Sequence, residues 1–140
     1  MKVEKMEEQI LKGKIIAVDF DSTIAHYDGW KGAGIFGEPI SNVQWALKRF
    51  KDLGAMIIIH TCRRETQHIN DYLHKHKIPY DFINFSPRNE KLKSSDKKIN
   101  ADMYIDDKGI SFQGDWKTTY LQVVNFRKWE QDSGAISSKG

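Results

Sequence analysis

The chain has 140 residues, 39% apolar and 29% charged, with a net charge of +3. That length fits one domain with a single core, and the composition is that of a soluble globular protein rather than a disordered or membrane one. The charge is too mild to argue for nucleic-acid binding by itself. The longest apolar run, Ala55 to Ile59, is too short for a bilayer, and a lone cysteine, Cys62, excludes a disulfide-stapled scaffold.

Residues 1–13 place Val3, Met6 and Ile10 at helical spacing among charges and read as a lead-in without a secretory h-region, so the expected location is cytoplasmic. Lys14 to Phe20 is a predicted strand, apolar on both faces as in a parallel sheet. Asp19 and Asp21 stand at its end, where strand alternation puts both on one face. Two close carboxylates repel unless a cation or a shared proton intervenes, which points to a metal, a phosphate or both.

Thr23 to Pro39 carries four glycines and reads as a long turn-rich excursion. A helix follows, with Ser41 as N-cap, Gln44 completing a capping box, Ile40 and Trp45 as a hydrophobic staple, and Val43, Leu47 and Phe50 as its apolar stripe. Gly54 marks its end. Ala55 to His60 is a second buried strand. Glu65 to Lys77 is a second helix with Ile69, Tyr72, Leu73 and His76 on one face, closed by Pro79.

Asp81 to Phe85 reads as a short third strand, Ser86 to Asn100 as a lysine-rich loop or short helix, Met103 to Ile105 as a fourth strand, and Tyr120 to Val124 as a fifth. Residues 131–140 are expected to be a disordered tail. Strands alternating with helices imply βαβ units, hence an α/β domain over 14–130. The expected form is a doubly wound three-layer Rossmann-like sandwich with a mainly parallel sheet of about five strands.

Ligands of an open α/β sheet bind beyond the carboxyl ends of its strands, near the point where strand order reverses. Four groups fall there: Asp19 and Asp21 after the first strand, Thr61 after the second, Lys98 shortly before the fourth, and Asp106-Asp107 after it. Read in order, Asp19-Phe-Asp21-Ser-Thr23, Ile57-Ile-Ile-His-Thr61, Lys98 and Tyr104-Ile-Asp106-Asp107 resemble the four motifs of the haloacid dehalogenase-like phosphohydrolases. The resemblance spans Lys14 to Gly109.

It implies a Mg²⁺-dependent phosphomonoesterase. Asp19 would be the nucleophile that forms an aspartyl-phosphate, and Asp21 the acid and base. Mg²⁺ would be held by Asp19, the Asp21 carbonyl and Asp106, with Asp107 joining through water. Thr61 and Lys98 would hold the phosphoryl oxygens, with Ser22, Thr23, Cys62 and Arg63 next to the substrate. Lys97 is the alternative motif lysine; the spacing to the acidic pair favours Lys98. Many members carry glycine where Ser22 stands.

Plainer roles exist for several of these residues. Thr61 also suits a helix cap, Asp107 a turn, Cys62 a small core side chain, and His60 a packed one, while His68, His74 and His76 match no zinc spacing and read as a solvated helix face. Neither Thr23–Pro39 nor Lys77–Lys98 has room for a cap domain, so the site is expected to be open. That suits a phosphorylated small molecule or a nucleic-acid end, or closure by an oligomeric partner. Trp30 and Phe36 would either stack on a base or anchor the flap to the body, and anchoring is the plainer reading. Two readings compete with a general phosphatase: a nucleic-acid end (3′ or 5′) phosphatase, and a non-catalytic phosphoacceptor or binding module on the same fold.

Overall fold

The run Ile15–Asp19 forms the central strand β1, and its continuous apolar character follows from burial on both sides. Ile16 and Val18 enter a core with Leu47, Ile57, Ile59, Ile69 and Leu73, while Ile15 and Ala17 meet Ile58 and Ile99 on the opposite face. Fully burying each such aliphatic side chain contributes roughly 1.5–3 kcal/mol, so neither face of β1 tolerates polar substitution. The computed structural model describes residues 10–91 and 98–126.

β2 (Met56–His60), β3 (Phe82–Ile83) and β4 (Met103–Ile105) complete an open parallel sheet in the order β3-β2-β1-β4. The helices α1 (Val43–Asp52), α2 (Thr66–Lys75) and the short α3 (Pro87–Lys91) lie between strands in the chain. The chain steps outward from β1 to β3 and then returns to the other side of β1, so strand order reverses between β1 and β4.

Two aspartates fix the starts of the strands. Asp102, just before β4, accepts the Ile15 N–H at 2.8 Å and donates its own N–H to the Ile15 carbonyl at 2.8 Å. Asp81, just before β3, does the same to Ile57, at 2.7 and 2.8 Å. Each carboxylate is neutralised by a cation, Arg88 at 2.7 Å for Asp102 and Lys51 at 2.6 Å for Asp81.

Helix α2 buries Ile69, Tyr72 and Leu73 as its spacing predicts, with His76 against the Tyr72 ring at 4.4 Å. Helix α1 buries Val43 and Leu47, but it starts differently from the predicted capping box. Asn42, not Ser41, is the N-cap, at φ 70° and without a side-chain cap bond, because the first free amide, Val43 N–H, is met by the Ile40 carbonyl at 3.1 Å. Trp45 is 67% exposed, so the expected staple with Ile40 does not bury it. Gly54 ends the helix turn at φ +103°, where an added Cβ would lie 2.9 Å from the Lys12 backbone. Only glycine meets both conditions.

The predicted fifth strand is not one. Residues 116–126 are helical, in a second compact unit that begins at Lys108, where the first unit has ended at Asp107. The Asp115 carboxylate caps this helix, accepting the N–H groups of Lys117 at 3.3 Å and Thr118 at 3.1 Å. The strand propensity of Tyr120 to Val124 is overridden by that cap and by the helical spacing of Trp116, Tyr120, Val123 and Val124. Phe112 packs on Trp116 in the same unit, with ring centroids 4.9 Å apart. Among the described residues the sheet therefore has four strands, and no helix is long and apolar enough to cross a membrane. Val3 and Met6 of the lead-in, Lys97 and the tail beyond Gln131 lie outside the described residues.

Candidate active site

Parallel register assembles the site. Val18 pairs with Ile105 and Asp19 with His60, so Asp106 follows beside Asp19 on one side and Thr61 lies one residue further along on the other. Asp19, Asp106 and Asp107 each place a carboxylate oxygen within 4.8 Å of the other two. Asp19 is half-buried, and its Oδ1 accepts the Phe20 N–H at 2.9 Å. Burial raises its pKa to about 6 against the lowering effect of that bond, and the charges of Asp106 and Asp107 push the same way. Asp107 is also raised, by burial first and then by its hydrogen bond with Asp106. Three hard oxygen donors this close together fit a divalent cation such as Mg²⁺, which would discharge their repulsion.

The Asp21 carboxylate does not belong to this group. β1 ends at Asp19, and the chain then folds over the Phe20 carbonyl, which accepts the N–H groups of Thr23, Ile24 and Ala25 at 3.3, 2.9 and 3.1 Å. Ser22 takes φ 65° within this turn, a conformation that costs a residue with a Cβ about 1–2 kcal/mol. Strand alternation therefore stops before it reaches Asp21. The Asp21 carboxylate instead meets the Arg63 guanidinium in a fork, with Nε at 2.9 Å and a terminal nitrogen at 2.8 Å. Arg63, expected from the sequence to contact substrate, thus binds the second aspartate of the first motif. Thr23 Oγ1 is buried and has no hydrogen-bond partner among the described residues.

Thr61 is buried at the end of β2, and its Oγ1 accepts the Arg63 N–H at 3.1 Å, the local turn role that its position suggests. Its backbone is held by Asn84, which accepts the Thr61 N–H and donates to the Thr61 carbonyl, both at 2.9 Å. Asn84 sits at φ 53°. Sequence reasoning missed it, although asparagine is one of the few residue types enriched in the left-handed conformation.

Lys98 is exposed, its ammonium lies 4.9 Å from the centre of the Tyr104 ring, and its carbonyl accepts from Asn89 at 2.8 Å. Cys62 is exposed, contrary to the core role expected of it, because Thr61 already ends the buried run. His68 pairs with Glu65 at 3.0 Å, and His74 reaches the Tyr80 hydroxyl at 3.2 Å.

The glycine-rich excursion is an ordered flap. Its ends are joined by His26 N–H to Glu38 O at 2.9 Å and by a bridge between Ala25 and Pro39. Phe36 anchors it in an edge-to-face triad with Phe20 and Tyr72, centroids 5.2–5.3 Å apart, while the Tyr72 hydroxyl donates to Gly37 O at 2.8 Å. Trp30, by contrast, is 63% exposed.

Neither a protein-family model nor a curated protein matches this chain. Among solved structures, it is similar to a conserved protein from Bacteroides thetaiotaomicron, with a TM-score of 0.56 and 23% identity. The match covers 80% of this chain and 90% of that one. At that identity the likeness bears on the fold alone, and it agrees with an open α/β architecture.

Proposed function

We propose that the protein is a Mg²⁺-dependent phosphomonoesterase of the haloacid dehalogenase-like type. In this reading the sheet is part of a doubly wound three-layer sandwich without a cap domain, working in the cytoplasm. One observation carries it: the carboxylates of Asp19, Asp106 and Asp107 converge beyond the carboxyl ends of adjacent strands, where strand order reverses. Such a switch point is where open α/β sheets bind ligands.

Asp19, Asp106 and Asp107 would hold Mg²⁺, which when bound supplies positive charge against the phosphate dianion. Asp19 Oδ attacks phosphorus as the bond to the leaving oxygen breaks, and Asp21 gives that oxygen its proton. Water then adds to phosphorus, releasing inorganic phosphate and freeing Asp19, and its proton returns to Asp21. Asp21 starts in the Arg63 fork, so this role requires the guanidinium to transfer to the incoming phosphoryl oxygens, an equally good planar match. The Thr61 hydroxyl and the Lys98 ammonium would hold the remaining oxygens; Lys98 first has to leave the Tyr104 ring.

Purified protein is expected to hydrolyse an aryl phosphate with Mg²⁺, to stop in EDTA, and to lose turnover as Asp19→Asn. Full activity in that variant would remove the covalent route.

A further inference from the structure

A cavity of about 510 Å³ opens beside Asp21, between the flap and the β2–α2 connection. Its volume lies within the range of small-molecule sites, and like them it combines apolar walls with a few polar groups. The Arg63 guanidinium stands among aromatic rings, 4.7 Å from the centre of Phe36, 4.9 Å from Trp30 and 5.9 Å from Tyr27. Phe36 is committed to the core triad, whereas Trp30 and Tyr27 keep 63% and 42% of their surface exposed. Trp30 and Tyr27 thus present ring surface to the cavity beyond what their contact with Arg63 covers.

The walls are preformed. At Gly34 an added Cβ would lie 2.9 Å from the His68 ring, so the flap is seated against α2. Arg64, Glu65 and His68 line the same cavity and offer donors and an acceptor to the edge of a flat ring.

Asp21 fixes the orientation. It lines the cavity and, on the phosphatase reading above, protonates the leaving oxygen, so the cavity lies on the leaving-group side. We infer that this cavity is a leaving-group subsite for a nucleobase-sized aromatic ring, making a nucleoside monophosphate the substrate class. A ringless sugar phosphate or polyol phosphate would leave the exposed ring surface of Trp30 and Tyr27 uncovered. This inference rests on the phosphatase reading for its orientation, not for the existence of the subsite.

The full-length protein is assayed with nucleoside 5′-monophosphates, ribose 5-phosphate and glycerol phosphate, reading KM and kcat separately. The ring-bearing esters should show KM at least ten-fold lower, with similar kcat. Stacking of one base on an aromatic side chain corresponds to roughly a ten-fold change or more. Trp30→Ala should therefore reduce the preference ratio about ten-fold, and Trp30→Phe should restore most of it. Equal KM across the series, or a preference indifferent to Trp30→Ala, overturns the inference. A salt-sensitive preference for oligonucleotide ends over mononucleotides overturns the choice of a single nucleotide.

Calorimetric titration of Asp19→Asn protein with a nucleoside 5′-monophosphate and with ribose 5-phosphate separates the two readings. Ring-selective, Trp30-dependent binding without turnover in the wild type keeps the subsite and removes the phosphatase. Turnover without ring selectivity does the reverse, and neither binding nor turnover removes both.

Discussion

Asp19→Asn is expected to make the metal-free protein more stable at neutral pH. Asp19 titrates near 6 in the folded protein instead of at 3.8. Below about pH 4 it is protonated in both folded and unfolded chains and costs nothing. As pH rises through 6, folding must hold a half-buried charge beside Asp106 and Asp107, and stability is lost. At about 1.36 kcal/mol per pH unit the full penalty is roughly 3 kcal/mol. Asp19 is only partly buried, and screening by solvent reduces the expected figure to about 1 kcal/mol. Asparagine keeps an oxygen for the Phe20 N–H and removes only the charge. Urea unfolding in EDTA should therefore give the variant an advantage of about 1 kcal/mol at pH 7.5 that vanishes near pH 4, while Mg²⁺ should stabilise only the wild type. An advantage of the same size at both pH values would mean that the buried charge of Asp19 is not its source. A destabilised variant at pH 7.5 would refute the reasoning altogether.

Arg63→Lys retains the charge but not the fork, and should cost about 1–2 kcal/mol in urea unfolding. Asp21→Asn should cost a similar amount, and the double variant clearly less than the sum; simple additivity would show that the pair is not coupled. Asn84→Ala removes both bonds to the Thr61 backbone and puts a Cβ-bearing residue without a polar side chain at φ 53°, a loss of roughly 2–3 kcal/mol. Asn84→Gly should be milder by about 1 kcal/mol, and equal costs for the two would remove the backbone contribution. Arg88 holds the Asp102 carboxyl at about 2, helped by the Ile15 N–H. Its contribution is present above pH 4 and is lost as pH falls towards 2, so Asp102→Asn should flatten the acid limb of the stability curve there. An unchanged acid limb would contradict this.

The interior strands were legible because continuous apolar runs, Ile15 to Val18 and Met56 to Ile59, can only be buried on both faces. Each candidate motif then followed from where its strand stopped, and Asp19, Asp106 and Asp107 do meet. What failed depended on local backbone turns. The fold over the Phe20 carbonyl turns Asp21 off the strand, and no periodicity encodes that. Residues 116–126 misled because Tyr, Val and Leu serve helices and strands alike, and the Asp115 cap decides between them. Arg63 was recognisable as a forked donor, but its acceptor was set by tertiary placement. Asn84 and Asp102 act on backbone groups of distant strands, a service that leaves no trace in hydrophobic pattern.

The aspartates at the strand starts work like the zero mark of a ruler. Asp102 grips both backbone groups of Ile15, and four residues further on, about 13 Å along the strand, stands Asp19. A slip of one residue between β1 and β4 would carry Val18 or Phe20 into the place of Asp19 and turn the carboxylate to the opposite face. The alignment of the three acids is thus calibrated at the far end of the strands, by residues that stand outside the acidic group.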